Sequence, residues 1–465
     1  MVSAKKRIWG WMFFDWAQQP YATLGLTFIF GPYFASVAAD YYLGTGLDAA
    51  AADARAQSLW TAGQTVSGLI IALTAPFLGA WADASGRKLP WIAFFSVIFV
   101  ACAWSMWFLT PDGATLYLVL LLFSVGIIAS ESGLNITNAI LPSLADARTV
   151  GRISGSGAAF GYWGGVLSLL LMLLLLAENN SGVTLLGQPP AFGLDPDQRE
   201  GTRSVGPLIA IWYVIFIIPF FLWVRDAPTT SVRRPTMAKV WAELRVTFAS
   251  LFRRRSLGSF LLGSMLYRDA LNGIYAIGGV YAALVLDWSI IQVGVFGIAG
   301  AITAAIATWI GGLYDARVGP KPVILVSIWI LIAVSIFIVG MSRTHLFGIP
   351  LPEGSVLPDM IFYICGAAIG GAGGSIYSAS RTMMIRHSDP DKPGEAFGLF
   401  ALSGKATAFL APALVTTATW ATGSVQLGVT PVIGLFLIGL ILLRFVNKDG
   451  DRAEWSAKLP HTRLS

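Results

Sequence analysis

Long apolar stretches recur along this chain, separated by short polar segments rich in Gly, Pro and charged residues. An α-helix needs roughly 20 residues to cross a bilayer, and each stretch approaches or exceeds that length. The pattern predicts an all-α integral membrane protein with twelve transmembrane spans, approximately 9–39, 58–81, 90–110, 115–141, 152–177, 205–225, 258–286, 289–314, 322–341, 357–386, 394–420 and 430–447. Span 1 is too long for a simple crossing, so we expect part of it to lie outside the membrane.

The spans divide into two halves of six helices, 1–225 and 258–447, joined by a basic linker at 226–257 and followed by a tail at 448–465. Apolar residues at 237, 240, 241, 244 and 248 of the linker have helical spacing and predict an amphipathic helix. Two interpretations stay open. The helix either lies on the inner membrane surface with its basic groups toward anionic lipids, or packs on the protein as a linker helix.

Composition supports the membrane assignment and limits the partners. Charged residues make up 12% of the chain and the mean hydropathy is +0.69, whereas soluble domains carry about 25% charged residues. The net charge is +6, and most of the 31 Lys and Arg fall in loops on one side of the membrane. This asymmetry predicts that both termini are cytoplasmic. The partners are therefore membrane lipids and a small-molecule substrate rather than nucleic acid, and no cofactor or metal is indicated.

A short loop pattern occurs twice, at matching places in the two halves. Gly79–Lys88 reads GAWADASGRK after span 2, and Gly311–Lys321 reads GGLYDARVGPK after span 8. Two matching copies indicate internal duplication, which is how many secondary transporters are built. The pattern resembles the loop between helices 2 and 3 of the major facilitator superfamily and its counterpart between helices 8 and 9.

The acidic residues of the two loops are candidate gating residues. We expect Asp83 to accept hydrogen bonds from the amides that open span 11, near Gly394–Ala396, and Asp315 to do the same at the start of span 5. Such contacts join the two halves on the cytoplasmic side and must break when that side opens. Arg87 is either a gate residue or a determinant of topology.

Six ionisable residues lie inside predicted spans, where an unpaired charge costs several kcal/mol and is a functional candidate by default. They are Asp15 in span 1, Glu131 in span 4, Arg268 and Asp269 in span 7, Arg381 in span 10 and Lys405 in span 11.

Three interpretations of these charges compete. In the first, the charges pair with one another and have a structural role. In the second, Arg268 and Lys405 face a substrate carboxylate while Asp269 faces an amine. In the third, Asp15, Glu131 or Asp269 carries a coupling proton. The second and third interpretations are compatible. Asp15 and Arg381, both near the cytoplasmic side, are predicted to meet across the inner mouth.

Glycines recur every fourth residue in span 10, at Gly366, Gly370 and Gly374. Such rows let helices approach closely, and the extra Gly371 and Gly373 lower helical propensity further. We predict a bending gate at Gly370 and Gly374, with static close packing as the alternative.

Several blocks resemble one branch of the superfamily, the vacuole-effluxer or autophagy-related permease family, which has many bacterial members. The blocks are Phe13–Thr23, Thr27–Phe34, Asn138–Leu144, Ile153–Gly165, Leu266–Ala270, Gly370–Arg381, Phe397–Gly398 and Gly404–Lys405. The resemblance implies the superfamily fold, in which helices 1, 4, 7 and 10 line a central cavity. It also points to amino acid export, the best-known role of the fungal members. The chain departs from the family at Asp269-Ala270, where members often have Asp-Gly.

The sequence therefore predicts a monomeric secondary transporter of the bacterial inner membrane that works by alternating access. The expected substrate is a small zwitterionic or carboxylate-bearing solute, with protons as a candidate coupling ion. An efflux carrier for drug-like or lipid-like compounds is the first alternative, and a non-transporting receptor or scaffold is the second. An enzyme is not expected because the chain has no HExxH motif, no Cys/His cluster and no nucleophile elbow.

Overall fold

The structure is a computed structural model that describes residues 2–146, 148–179, 181–226, 236–251, 253–286, 288 and 290–451. The parts of the predicted linker at 227–235 and of the tail at 452–465 lie outside the described residues. Helices of the first half are α1 (Ala4–Pro20), α2 (Phe30–Gly44), α3 (Ala49–Ser85), α4 (Leu89–Ser105), α5 (Leu116–Asn138), α6 (Val150–Leu171), α7 (Glu200–Arg203) and α8 (Val205–Trp223).

The linker and the second half contain the remaining helices and one short hairpin. These elements are α9 (Met237–Leu251), α10 (Arg255–Val285), α11 (Ile290–Val318), α12 (Pro320–Gly340), β1 (His345–Leu346), β2 (Ile349–Pro350), α13 (Leu357–His387), α14 (Pro393–Lys405), α15 (Leu410–Thr422), α16 (Val425–Gly428) and α17 (Thr430–Leu443). The two strands pair antiparallel. Single 3₁₀ turns occur at Met106–Phe108, Leu141–Ser143 and Ala191–Gly193.

Within the described residues, 11 helical stretches are long and apolar enough to cross a membrane. The predicted span 7 corresponds to α10, which has 31 residues and is long enough to cross at about 1.5 Å per residue. It contains Arg268 and Asp269 side by side, and these charges lower its hydropathy. The all-α membrane fold is thus present, while the count of twelve crossings stays a prediction.

Several predicted spans are not uniform α-helices; span 5, for example, ends in a π-helical segment, Met172–Leu176, after α6. In span 1, α1 passes at Pro20 into a π-helical segment, Tyr21–Phe28, before α2 begins, so that Ala4–Gly44 forms one helical stretch of 41 residues. Proline lacks an N–H donor and cannot complete the regular helical ladder. Span 11 is interrupted between α14 and α15, and Pro412 lies at the beginning of the second piece.

The described helices pack as two compact units whose bounds differ from those of the predicted halves. Unit 1 comprises Met1–Ile71, Arg87–Thr137 and Phe160–Pro228, and unit 2 comprises Ala72–Gly86, Asn138–Ala159 and Thr229–Ser465. The ends of α3 and α5 and the beginning of α6 therefore belong to the same unit as the helices of the second half.

Aromatic rings fill the interior of unit 1. Phe123 of α5 stacks on Tyr21 and on Trp60, with ring centroids 5.2 Å and 5.0 Å apart, and also contacts Phe30. The Tyr21 hydroxyl donates to the Phe123 carbonyl oxygen at 2.8 Å, which satisfies a polar group that would otherwise be buried without a partner. These contacts fix the π-helical part of span 1 against α3 and α5.

Unit 2 has a continuous apolar core formed mainly by α10, α12, α13 and α17. Its largest buried rings, Phe260, Tyr267, Tyr281, Phe362 and Phe397, are at most 1% exposed. Core packing of this kind holds α10 firmly against the neighbouring helices, and α10 is the helix that carries Arg268 and Asp269.

The linker helix α9 packs on the protein. Val240 and Leu244 are 2% and 3% exposed and form a cluster with Ala80 and Trp81 at the end of α3. Trp241, next to Val240 in the chain, is 67% exposed. The apolar face predicted from the sequence is thus divided between a buried part and a part that remains at the surface.

Candidate functional site

Arg268 lies near the middle of α10 with its guanidinium between two aromatic rings. Its Cζ atom is 4.3 Å from the centroid of Phe400 and 5.4 Å from that of Tyr377, and Nη1 donates to the Phe400 carbonyl oxygen at 3.1 Å. A Cβ atom at Gly404 would lie 2.4 Å from Cζ, so only glycine leaves room for the guanidinium there. The guanidinium therefore packs against Phe400 and Gly404 of α14 and against Tyr377 of α13.

Arg268 has little hydrogen bonding for a charged side chain in a membrane helix. A guanidinium has five N–H donors, and the carbonyl of Phe400 is the acceptor that the described residues supply. No carboxylate of the described residues forms an ion pair with Arg268, and its Nε is buried without a hydrogen-bond partner among them. The side chain is half-buried rather than sealed.

Asp269 follows Arg268 in the chain but contacts a different part of span 11. Its Oδ2 accepts a hydrogen bond of 2.9 Å from the backbone N–H of Ala411, in the first turn of α15. The residue is only 2% exposed, and Oδ1 has no hydrogen-bond partner among the described residues. A carboxylate at a helix N-terminus is favourably placed because the helix dipole stabilises negative charge there.

The other predicted membrane charges are distributed over both units. Asp15 and Glu131 are half-buried residues of unit 1, and Lys405 is the half-buried last residue of α14 in unit 2. Each of these three side chains is engaged in interactions. Their roles in substrate binding or coupling stay predictions.

Arg381 forms a polar clamp within unit 2. Its Nη1 donates to Asn138 Oδ1 at 3.0 Å, Nε donates to Ser154 Oγ at 2.9 Å, and Nη2 donates to the Ser154 carbonyl at 2.6 Å. Asn138 ends α5 and Ser154 lies in the first turns of α6. Arg381 therefore ties α13 to the ends of two helices from the first half, a role that its position alone did not reveal.

The hydrogen bond predicted for the first loop copy is present in unit 2. Oδ2 of Asp83 accepts the backbone N–H of Glu395 at 2.8 Å, at the beginning of α14. Gly79 allows the approach, since a Cβ atom there would lie 2.0 Å from the Gly394 carbonyl oxygen. The Glu395 side chain accepts from the Thr247 hydroxyl of α9. The end of α3, the beginning of α14 and the linker helix thus meet at one point.

The second loop copy has a different environment. Asp315 is 2% exposed and lies against the start of α6, where a Cβ atom at Gly151 would be 2.7 Å from its Oδ1. Neither carboxylate oxygen has a partner with full hydrogen-bond geometry among the described residues, although the Thr382 hydroxyl and the Arg386 guanidinium are close enough to interact with it. Asp315 thus lies beside the start of α6, but the hydrogen bond predicted from this helix is not formed among the described residues.

The loop that leads into α6 is held by a carboxylate of its own. Asp146 Oδ1 accepts the backbone N–H groups of Arg148 and Thr149 and the hydroxyl of Thr149. These bonds, with that of the hydroxyl foremost, lower the pKa of Asp146 below its usual value of 3.8. Because α6 begins at Val150, these bonds stabilise the turn that leads into the helix and do not occupy the helix amides near Gly151.

Arg87 is exposed and engaged in interactions, and the structure gives no separate support for a gating role. The next helix, α4, is capped by Asp226, whose carboxylate accepts the N–H groups of Lys88 and Leu89 at 2.9 Å and 3.2 Å. This cap was not anticipated, although Asp is a common capping residue.

The glycines of α13 serve close packing. A Cβ atom at Gly370 would lie 2.1 Å from the Gly300 carbonyl oxygen of α11, and one at Gly366 would lie 2.1 Å from the Phe296 ring. Gly374 is also buried, and the helix runs without interruption from Leu357 to His387. A bending gate at Gly370 and Gly374 stays a prediction, and close helix contact is what the glycines provide here.

Among the residues that the structure describes, no group of three metal-ligating side chains is present. The fold and the membrane helices instead match those of transporters. The human organic anion transporter MFSD10 (TETRAN) aligns with a TM-score of 0.69 at 15% identity, covering 95% of this chain and 100% of that chain. The proton:xylose symporter XylE aligns with a TM-score of 0.66 at 14% identity, covering 97% of this chain and 98% of that chain. The fold is that of the major facilitator superfamily.

The family is shown by sequence. The profile of the family described as "Vacuole effluxer Atg22 like" matches residues 3–456, and the chain belongs to this family. The uncharacterized MFS-type transporter YxiO of Bacillus subtilis is 25% identical over 443 residues, 94% of either chain. Autophagy-related protein 22-2 of Emericella nidulans is 25% identical over 331 residues, which are 67% of this chain and 53% of that protein. The chain therefore spans about half the length of this fungal relative, and the family resemblance is confirmed. As a member of this family, the protein is a membrane transporter rather than an enzyme.

Proposed function

We propose that this chain carries a small carboxylate-bearing solute, anionic or zwitterionic and amino-acid-like, across the bacterial inner membrane by alternating access. Arg268 is the residue that binds the carboxylate. The supporting observation is that its guanidinium lies in a membrane helix with a single neutral acceptor and without an ion-pair partner among the described residues. A cation near the centre of a membrane helix costs about 2.5–3.5 kcal/mol on insertion scales, so a residue of this kind calls for a counter-ion.

The geometry around Arg268 suits an anion that binds and is released in each transport cycle. The guanidinium packs against Phe400 and Tyr377, and its planar fork of N–H donors matches the geometry of a carboxylate. Its bond to Phe400 is to a neutral carbonyl, and this carbonyl also accepts the Ser403 hydroxyl at 2.9 Å. Exchange of that bond for a charge-assisted bond to a carboxylate is favourable because the latter is roughly twice as strong.

The family supports export of amino acids as the finer form of the proposal, with both termini in the cytoplasm as the basic loops indicate. The contacts at Asp83 and Arg381 are then the inner gate, which must open once in each cycle. Binding energy alone does not drive net transport, so the solute follows its own gradient or is coupled to a second one. Protons are the proposed coupling ion, with Asp15 and Glu131 as the candidate carriers, because the Asp269 carboxylate is buried and already holds the Ala411 N–H.

The test is counterflow in proteoliposomes with purified protein and a panel of radiolabelled amino acids and small organic acids, with and without a pH gradient. We expect one solute class to exchange, and Arg268→Ala to raise its KM 10- to 100-fold, as the loss of about 1.5–3 kcal/mol from charge-assisted bonds predicts. Arg268→Lys should keep part of the affinity. Arg444→Ala, an exposed arginine at the end of α17, is the control and should behave as wild type.

An unchanged KM in a folded Arg268→Ala variant would contradict the assignment of the carboxylate to Arg268. Exchange of uncharged amphipathic compounds alone would support the drug-like or lipid-like alternative. Absence of exchange across the whole panel would favour the receptor or scaffold.

A further inference from the structure

Span 11 consists of two helices with a break between them. The helix α14 ends at Lys405 and α15 begins at Leu410. Between them the backbone bonds shorten to i→i−3, from Ala408 N–H to the Lys405 carbonyl at 3.3 Å and from Leu410 N–H to the Thr407 carbonyl at 2.8 Å. The interruption is explained by Pro412, which has no N–H to offer to Ala408 and whose ring would clash with the carbonyl there.

Two neighbouring residues of α10 hold the two sides of this break. Arg268 donates to the carbonyl of Phe400 and lies against Gly404, both in α14. Asp269 accepts the N–H of Ala411, in α15. That N–H is one of the first-turn donors that a helix cannot satisfy internally, and Asp269 satisfies it from another helix.

The two attachments differ in how easily they exchange. Arg268 is half-buried, and its acceptor is a neutral carbonyl already bonded to the Ser403 hydroxyl. Asp269 is 2% exposed, and its charge faces the positive end of the α15 dipole. A solute arriving at Arg268 therefore competes for the bond to α14, while the bond to α15 stays out of its reach.

The first piece of span 11 also reaches the inner gate. Glu395, whose N–H binds Asp83, and Phe400, whose carbonyl binds Arg268, lie on the same short helix α14. Their separation of five residues corresponds to about 7.5 Å along the helix axis. A displacement of α14 at Phe400 is thus transmitted to the Asp83 contact as that of one rigid body.

We propose that Asp269 is a positioning residue that anchors α15 to α10. The break at 406–409 then acts as a hinge, and α14 alone moves when Arg268 exchanges its bond to the Phe400 carbonyl for one to the substrate carboxylate. This rests on the proposed function of Arg268. Span 11 then has a fixed piece, α15, and a moving piece, α14, and the moving piece couples solute binding to the inner gate.

The first experiment compares Asp269→Asn with Asp269→Ala in the counterflow assay. Asparagine keeps an oxygen that accepts the Ala411 N–H, so exchange should stay within threefold of wild type. Alanine removes the acceptor, and the maximal exchange rate should fall at least tenfold while KM stays within threefold, because Arg268 is intact. A raised KM with an unchanged rate in Asp269→Ala would make Asp269 a substrate ligand. An equal loss of exchange rate in both variants would show that the charge of Asp269, and not its bond to the Ala411 N–H, matters for transport. Each of these two results would overturn the proposal.

The second experiment alters the hinge and leaves Asp269 in place. Pro412→Ala restores a donor and removes the ring, which favours one continuous helix across the break. The readout that does not depend on a substrate is maleimide labelling of Ala396→Cys, placed beside Glu395 at the gate, in a background where the buried Cys102 and Cys365 are replaced by Ala. We expect labelling at least fivefold slower than in the reporter background.

Pro431→Ala, in the first turn of α17, is the matched control and should label at the rate of the reporter background. An unchanged labelling rate in Pro412→Ala would overturn the hinge. This readout needs no solute, so it tests the hinge even if no compound of the panel is exchanged. Absence of exchange counts against the proposed function and not against the hinge.

Discussion

Removal of the Asp83 carboxylate is the sharpest test of the proposed inner gate. In Asp83→Ala the Glu395 N–H loses its acceptor at 2.8 Å, and the first turn of α14 loses a negative charge. The change leaves the backbone of α3 and the Gly79–Gly394 approach in place. The substitution therefore weakens one contact of the closed gate without creating a steric clash.

The magnitude follows from the kind of bond that is lost. A hydrogen bond to a charged group contributes about 1.5–3 kcal/mol, and a charge at a helix N-terminus about 0.3–1 kcal/mol, with the two overlapping here. With part of the loss offset by water, we expect the closed gate to be destabilised by about 2 kcal/mol. At about 1.4 kcal/mol per factor of ten, the open fraction then rises about 30-fold. Asp83→Asn, which keeps an acceptor oxygen, should raise it about fivefold.

The assay is the rate of maleimide labelling at Ala396→Cys, which is 7% exposed in the closed arrangement. While the open state is the minor one, the labelling rate is proportional to its population. Asp315→Asn is the matched control, because Asp315 is the equivalent residue of the second loop copy and has no hydrogen-bond partner among the described residues. Its substitution should change the labelling rate less than threefold.

Equal labelling rates in Asp83→Ala and the reporter background would refute the reasoning, since the Asp83–Glu395 bond would then not hold the gate. A larger effect at Asp315 than at Asp83 would refute the distinction between the two loop copies.

Two further predictions concern packing in unit 2. Gly155→Ala should lower the melting temperature, because the new Cβ would lie 2.5 Å from the Gly312 Cα and such overpacking costs about 1–3 kcal/mol. Gly434→Ala is the control, since a Cβ there meets open space, and it should leave the melting temperature unchanged. A similar decrease in both variants would contradict the close helix approach. Val240→Asp should release α9 and speed limited proteolysis of this helix more than tenfold, because the substitution buries a charge in an apolar contact. Trp241→Asp is the control and should leave the proteolysis rate unchanged, because Trp241 is exposed. Faster proteolysis in Trp241→Asp than in Val240→Asp would favour attachment of α9 to lipid.

Much of the fold could be predicted from hydropathy because a membrane helix must satisfy all its backbone groups internally. The contact between Asp83 and the beginning of α14 could also be predicted, because an acidic loop residue and a helix N-terminus are complementary whatever the rest of the chain does. The loop repeat, however, suggested equal roles for Asp83 and Asp315. The structure separates them, because Asp83 accepts a helix N–H whereas Asp315 accepts none among the described residues, and this is visible only once both carboxylates are placed.

The partners of the membrane charges could not be predicted. Arg268 and Asp269 are adjacent in the chain yet hold different pieces of span 11, since successive residues of a helix point about 100° apart. Arg381 binds Asn138 and Ser154, more than two hundred residues away in the chain. A sequence identifies a charge that needs a partner, but which group supplies it depends on the helix faces that meet.

The amino-acid sequence by itself determined that this protein is an all-α membrane transporter, that one loop pattern occurs twice, and that Arg268, Asp269 and Arg381 lie in apolar stretches where charge is costly. These properties follow from local hydropathy and from the cost of burying charge. The tertiary structure alone decided that Arg268 faces an aromatic pair and a glycine, that Asp269 caps α15, and that α14 links this place to the Asp83 contact. These properties depend on side-chain contacts between helices distant in sequence, which packing selects and no local pattern encodes.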